Sequence, residues 1–337
     1  MKNILIIHTG GTFGMSPIEP TKTLKPGNIQ SDIEKYLPEV HRIANLEIQI
    51  PFNKDSTNIG PHDWKLLFSI LKREMNNYDG FVIIHGTDTL VYTASALSFL
   101  LGDLQKPLIL TGSQRPLSSI RSDAKSNLIN ALELATMDIP EVAICFGNNL
   151  FRGNRTKKIS IESYHGFESP NYPPLATIGL NIHLKKQNIL KDRININLQP
   201  EFDPSAVVIH VTPGLNPQQY LPMIAGNTRV FILSGFGAGN LPNMEQNWIE
   251  FISKAADKNK LVFIGSQSPH GQVDLELYDS GILAKNAGAL SLDDMTIESA
   301  LVKSMLLLAN FEDPNIIKKY FEQPLAGEKI SLLESGK

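Results

Sequence analysis

Four short segments concentrate residue types able to do chemistry. The first is Thr9-Gly10-Gly11-Thr12-Phe13-Gly14, directly after an apolar run. Glycines there let the backbone turn sharply and approach a ligand, although an ordinary strand-to-loop turn uses glycine in the same way. The spacing does not match G-x-G-x-x-G, and no short helix-opening pattern follows, which argues against a dinucleotide fingerprint. The second is Asp55-Ser56-Thr57-Asn58, following the alternating run Leu46 to Phe52 and preceding a helix expected near Pro61. The third is His85-Gly86-Thr87-Asp88-Thr89, between a strand and a helix. Asp88 there is also a good N-cap, but a cap does not need the preceding Gly-Thr. The fourth, Arg152-Gly153-Asn154-Arg155-Thr156-Lys157-Lys158 with Ser169-Pro170-Asn171 after it, reads on its own as a basic surface loop. His8 and His85 occupy equivalent strand-end positions and read as core histidines with satisfied hydrogen bonds.

The elements that must position these segments alternate between short apolar runs and helix-period stretches. This pattern predicts βαβ units, an α/β fold and a mainly parallel sheet. The runs 4–12, 81–89 and 108–114 in the first part, and 207–214, 231–240 and 261–268 in the second, each end in glycine or a hydroxyl residue. In open α/β sheets ligands bind beyond the carboxyl ends of the strands. Repeated small hydroxyl and glycine residues there present backbone amides and hydroxyls to a small polar ligand. Helices are expected over Asp88–Leu101, with Asp88 or Thr89 as cap, and over Asp123–Met137, Met244–Ala256 and Thr296–Leu308. The polar, proline-containing stretch 186–205 carries no helical period and marks a connection. It gives an N-terminal α/β domain over 1–190, a linker over 191–205 and a smaller α/β domain over 206–337.

Composition excludes several classes. Of 337 residues, 42% are hydrophobic and 19% charged, and 31 basic against 34 acidic residues give a net charge of -3. Nothing in that balance attracts nucleic acid or an anionic membrane. No stretch reaches the roughly 18 apolar residues of a membrane span, and the short apolar N-terminus lacks a signal-peptide h-region. The single cysteine, Cys145, lies in an apolar run and reads as core. One thiol cannot form an internal disulfide, so a cytoplasmic location is expected. H-E-x-x-H and Cys/His clusters are absent, so no metal site is expected.

Taken together, the four segments resemble the bacterial-type L-asparaginase family, in its cytosolic (type I) branch. The two threonine motifs match at 9–12 and 85–89, the branch's Arg-Gly-Asn-Arg-Thr-x-Lys at 152–158, and Ser169-Pro170-Asn171 at the expected spacing. The resemblance runs over almost the whole chain. It implies hydrolysis of L-asparagine to L-aspartate and ammonia by two-step acyl transfer, without a cofactor. Thr12 is then the nucleophile, activated by a set resembling Thr87, Lys158 and Asp88. A lysine held near a hydroxyl and a carboxylate can pass a proton if its pKa falls below the reference value of about 10.4. Asp88 also pairs with the substrate α-ammonium, Ser56 receives the α-carboxylate with Asp55 and Thr57 beside it, and backbone amides near Thr12 and Thr87 form the oxyanion hole.

One departure stands out. Many relatives carry a tyrosine in the loop after the first motif, whereas residues 13–35 here contain none, and the loop Met15-Ser16-Pro17-Ile18-Glu19-Pro20 is proline-rich. Tyr36 falls in an expected helix. Tyr278 resembles a C-terminal tyrosine of the branch and takes the vacant role, reaching the site of a neighbouring chain in a homodimer or homotetramer. Some members also bind asparagine at a regulatory intersubunit site. The residue before their catalytic lysine is often threonine, but here it is Lys157, so that site is not carried over. Two alternatives use the same fold. A subunit of a tRNA-dependent amidotransferase carries an extra domain before its first threonine motif, which a motif starting at residue 9 leaves no room for. A catalytically inactive amide-binding protein is expected to lack a threonine, the aspartate or the lysine, and all four are present.

Overall fold

The computed structural model describes residues 1–18, 23–191, 193–194 and 196–330. Glu19 and Pro20 of the proline-rich loop, and Asp192 and Asn195 of the expected linker, lie outside them. The chain forms two compact units, Met1–Arg193 and Ile194–Lys337.

The first unit is built on an eight-stranded sheet. Five strands, Asn3–His8, Asn45–Gln49, Gly80–Ile84, Leu108–Thr111 and Val142–Phe146, pair in parallel. Numbered one to five along the chain, they lie in the spatial order 2-1-3-4-5. Strands one and three are buried almost throughout, as expected for strands covered on both faces. Helix Pro61–Glu74 and helix Leu90–Leu100 pack with one apolar cluster, and Ile29–Tyr36 and Ala124–Ala135 with another. The order reverses between strands one and three. In this topology such a switch point is where a ligand crevice opens beyond the strand ends, and the two threonine loops leave from those two strands.

The parallel part continues into an antiparallel extension, Asn149–Arg152, Ala176–Ile178 and Ile182–Leu184. The start of the supposed basic surface loop is therefore a buried strand. The side chains of Arg152, Asn154, Arg155 and Thr156 are all buried. Arg152 Nε donates to Glu141 at 2.8 Å, with both side chains at most 4% exposed, and Tyr172 stacks beneath Arg152. Basic residues look like surface in a sequence because an unpaired buried charge is prohibitive; a paired and hydrogen-bonded one is not.

Of the two cap positions expected for helix Leu90–Leu100, the fold uses Thr89, whose hydroxyl donates not to the helix but to Ser56 O at 2.6 Å. One helix boundary differs from expectation. In the second unit the helix expected from Met244 starts at Trp248, where the Asn247 side chain accepts from Glu250 N. That unit is a four-stranded parallel sheet, Ala206–His210, Val230–Gly235, Leu261–Ser266 and Leu290–Ser291, paired in chain order. Its long helix Ile297–Asn310 carries Lys303, fully buried against Glu328 at 2.5 Å.

Candidate active site

Glycine sets how closely the loops at the switch point approach. Thr9 N and its hydroxyl both donate to Ile84 O, and Lys54 N donates to Thr9 O. Gly10 has φ 116°, and a Cβ there would stand 2.6 Å from Lys54 N. Gly11 has φ 83°, and its Cβ would stand 2.6 Å from Gly86 N. A Cβ on Gly86 would in turn lie 2.6 Å from Ser56 Oγ. These positions have no room for a side chain, and the positive φ values add a backbone cost for any other residue. The first and third motifs thus meet backbone to backbone, and the Ser56 side chain of the second packs against Gly86.

The fourth motif arrives from the other side. Lys157–Lys158 pairs antiparallel with Phe167–Glu168, Lys158 opposite Phe167. From there Lys158 Nζ donates to Thr87 Oγ1 at 2.9 Å and to Asp88 Oδ1 at 2.6 Å. The Lys158 side chain is 16% exposed, while that of Asp88 is 55% exposed. The ammonium is therefore sheltered and held between a hydroxyl and a carboxylate that opens to solvent. The loop after it, 159–166, is held by Gln114, whose Nε2 donates to Ser160 O and Ser163 O at 3.2 Å each. Asp123 in turn accepts from Gln114 N and Arg115 N. In the sequence Gln114 is marked only by its position at the end of the 108–114 strand run.

Ser56 is buried and its Oγ accepts from Asp88 N at 3.3 Å. Asp55 and Thr57 are exposed and engage each other: Asp55 accepts from Thr57 N at 2.9 Å and from Thr57 Oγ1 at 2.8 Å, and these bonds hold its carboxyl below the usual pKa. Thr12 opens a short 3-10 turn, Thr12–Gly14, half-buried beside Gly11. That turn is tied by Gly27 N to Gly14 O and by Leu117 N to Phe13 O. Tyr278 belongs to the second unit, where it stands at the N-cap of helix Asp279–Asn286, 53% exposed.

The two strand-end histidines differ. His85 is fully bonded: Nδ1 meets Gly86 O at 2.7 Å, Nε2 meets Thr93 Oγ1 at 2.9 Å, and Trp64 Nε1 donates to that same hydroxyl at 3.0 Å. His8, expected to be satisfied, is 1% exposed, and among the described residues neither ring nitrogen has a hydrogen-bond partner. Burial pushes both imidazoles down to about 4. Among the described residues there is no cluster of His, Cys, Asp and Glu placed to hold a metal ion, and no helix long and apolar enough to cross a membrane.

Chemically, the arrangement offers two threonine hydroxyls, a lysine bonded to one of them, a carboxylate open to solvent and a buried serine hydroxyl, around loops without side-chain bulk. The family model for the N-terminal domain of asparaginase matches residues 3–190, and that for the glutaminase/asparaginase C-terminal domain matches residues 206–321. L-asparaginase 1 of Escherichia coli (strain K12) is 36% identical over 335 residues, covering 97% of this chain and 98% of that protein. The structure of the thermostable L-asparaginase from Thermococcus kodakarensis superposes with a TM-score of 0.87 at 34% identity, over 98% of this chain and 99% of that one. L-asparaginase I from Vibrio cholerae gives a TM-score of 0.88 at 35% identity, with the same coverage.

Proposed function

The chain belongs to the asparaginase family, and we propose from that membership and the loop geometry that it hydrolyses L-asparagine to L-aspartate and ammonia in the cytoplasm. The observation that carries the reading is Lys158 Nζ, bonded at once to Thr87 Oγ1 and Asp88 Oδ1, in the loop whose Gly86 packs against Gly11 of the first motif. In the first step Thr12 Oγ attacks the side-chain amide carbon. The hydroxyl proton passes by way of the Thr87–Lys158–Asp88 set to the leaving nitrogen, which departs as ammonia. Water then attacks the aspartyl ester under the same set, releasing aspartate and returning the proton to Thr12. Asp88, open to solvent on one side, takes the substrate α-ammonium. Ser56 takes the α-carboxylate, in a turn that Asp55 and Thr57 hold in shape. No metal or organic cofactor enters these steps.

The head group held by Ser56 and Asp88 fixes the distance to Thr12, so side-chain length decides the substrate. One methylene is worth about 1–3 kcal/mol, giving asparagine roughly a 10- to 200-fold advantage over glutamine in kcat/KM. Ammonia release from the two amides measures it, and equal values would refute the preference.

The reading extends to a homodimer or homotetramer in which Tyr278 of a second copy completes the site, in place of the tyrosine absent from residues 13–35. Its support is the exposed apolar surface around Tyr278, with Leu277, Ile282 and Leu283 all exposed. Inactive Thr12→Ala and impaired Tyr278→Phe chains, unfolded and reassembled together, should recover up to roughly a quarter of wild-type sites, since about half of randomly formed dimers are mixed and each carries one intact site. Full activity of Tyr278→Phe alone, or no recovery on mixing, rules the arrangement out.

A further inference from the structure

The bonding of His85 fixes its protonation state. Trp64 Nε1 can only donate, so Thr93 Oγ1 accepts from it. The Thr93 hydroxyl is then free to donate to His85 Nε2. On the other side of the ring, Nδ1 stands 2.7 Å from Gly86 O. A bare Nδ1 would place two acceptors in contact, so Nδ1 carries a proton and donates. The ring is the neutral Nδ1–H tautomer, consistent with its full burial and its pKa near 4.

This bond fixes more than the ring. In a trans peptide the C=O of one residue and the N–H of the next point in opposite directions in one plane. Anchoring Gly86 O on the buried imidazole therefore turns the Thr87 N–H away from the relay. Three other amides of the loop are engaged or covered: His85 N donates to Thr111 O and Asp88 N to Ser56 Oγ, while Gly11 packs against Gly86 N. Among the described residues, nothing in the protein accepts from Thr87 N–H. This amide belongs to the residue whose hydroxyl Lys158 holds.

We propose that His85 is a positioning residue, the last link of a buried Trp64–Thr93–His85 relay that holds the Gly86–Thr87 peptide so that Thr87 N–H donates to the oxyanion formed when Thr12 attacks the amide. The inference rests on the amidohydrolase reading above. A donor set in advance strengthens its bond as charge develops without any reorganisation at the moment of reaction. Its loss should appear in kcat more than in KM.

Three variants test it by steady-state ammonia release. His85→Leu removes both ring nitrogens, and kcat should fall by about 10²-fold, as for loss of one oxyanion donor, with KM within a few-fold. His85→Asn places an amide N–H where Nδ1–H stood and should recover kcat to within about tenfold of wild type, which a purely structural role does not predict. Thr93→Val leaves the imidazole in place but frees its Nε2, and it serves if His85→Leu does not fold; roughly a tenfold loss in kcat is expected. Nitrogen NMR of the wild-type protein, with the His85 signals assigned by their loss in His85→Asn, should show Nδ1 protonated and Nε2 bare at neutral pH. Equal losses in His85→Leu and His85→Asn, a defect confined to KM, an unimpaired Thr93→Val, or an Nε2–H tautomer overturns the proposal. A wild-type protein that releases no ammonia from asparagine sinks the amidohydrolase reading instead, while the tautomer measurement still reports on the relay.

Discussion

Strands Asn3–His8 and Gly80–Ile84 lie side by side in register, and each delivers a histidine followed by a glycine–threonine loop to the same edge of the sheet. The two loops are held very differently. Below the Thr87 loop, three buried side chains bond in a line to Gly86 O, and above it Lys158 bonds Thr87 and Asp88 while Ser56 takes the Asp88 amide. Among the described residues the Thr12 loop has no such line of side chains, and backbone bonds from Gly27 and Leu117 tie its turn instead. Its histidine is orphaned, its turn is three residues of 3-10 helix, and a Cβ on Gly14 would stand 2.9 Å from the His8 ring. In this reading, proton-transfer groups must keep fixed distances to one another before substrate arrives. A nucleophile needs only to be delivered, so its loop is built for close approach.

The largest expected effect tests which threonine is delivered. Thr12→Ala should lower kcat by roughly 10³-fold or more with the fold intact, and mass spectrometry of a slow substrate should show an acyl adduct on Thr12. If Thr12→Ala turns over normally and the adduct sits on Thr87, the roles of the two loops are reversed.

Next comes the scaffolded side. Lys158→Met keeps the aliphatic stem and removes the amine, and kcat should fall by about 10²–10⁴-fold. Because the Asp88 side chain is 55% exposed, leaving it unpaired should change stability by under about 1 kcal/mol, so activity and Tm separate. Lys157→Met should leave kcat nearly unchanged. A large loss from Lys157→Met and none from Lys158→Met would move the proton-transfer role by one residue.

The smallest effect sharpens the contrast between the histidines. An unfolded imidazole takes up its proton near pH 6.5, while in the folded protein neither His8 nor His85 does so until about 4. Between those values the unfolded state binds more protons. The stability linked to each neutral ring is therefore complete above about pH 6.5 and is lost as pH falls towards 4, at roughly 3 kcal/mol per ring. His8→Leu should lose its share of this acid sensitivity. At pH 8 it should be neutral or stabilising, because removing a buried polar group without a partner relieves a desolvation cost of about 1–3 kcal/mol. Denaturant titrations at pH 8 and pH 5 measure both. A His8→Leu protein clearly less stable at pH 8 would mean that the ring is bonded in solution.

Much of this architecture is legible locally. Apolar runs ending in Gly-Thr, Gly-Ser or Ser-Gly mark central parallel strands such as Gly80–Ile84, Leu108–Thr111 and Val230–Gly235, which are buried throughout, whereas the partly exposed parallel strand Asn45–Gln49 carries no such run. Thr87 and Asp88 stand out directly after such a run, whereas Ser56 and Lys158 come forward only through the family resemblance, since the Lys158 segment read on its own is a basic surface loop. Asp88 shows where this reading stops. Its type and position suit an N-cap, but Lys158, 70 residues away, holds its side chain, and the cap falls to Thr89. Arg152 and Arg155 read as surface because the groups that make their burial tolerable, among them Glu141, Tyr172 and the Asn188 carbonyl, are reached only through the fold.

By itself the sequence determined the alternation of strands and helices, the glycines at which loops can touch, and the residue types available for proton transfer, since each follows from propensity, burial pattern or side-chain chemistry within a short window. The tertiary structure alone decided the 2-1-3-4-5 strand order that puts both threonine loops at one switch point, the bonding of Lys158 to Thr87 and Asp88, and which of two similar histidines is bonded and which is orphaned. Those outcomes depend on pairings between segments far apart in the chain, and a buried hydrogen bond exists only where the fold brings donor and acceptor within about 3 Å.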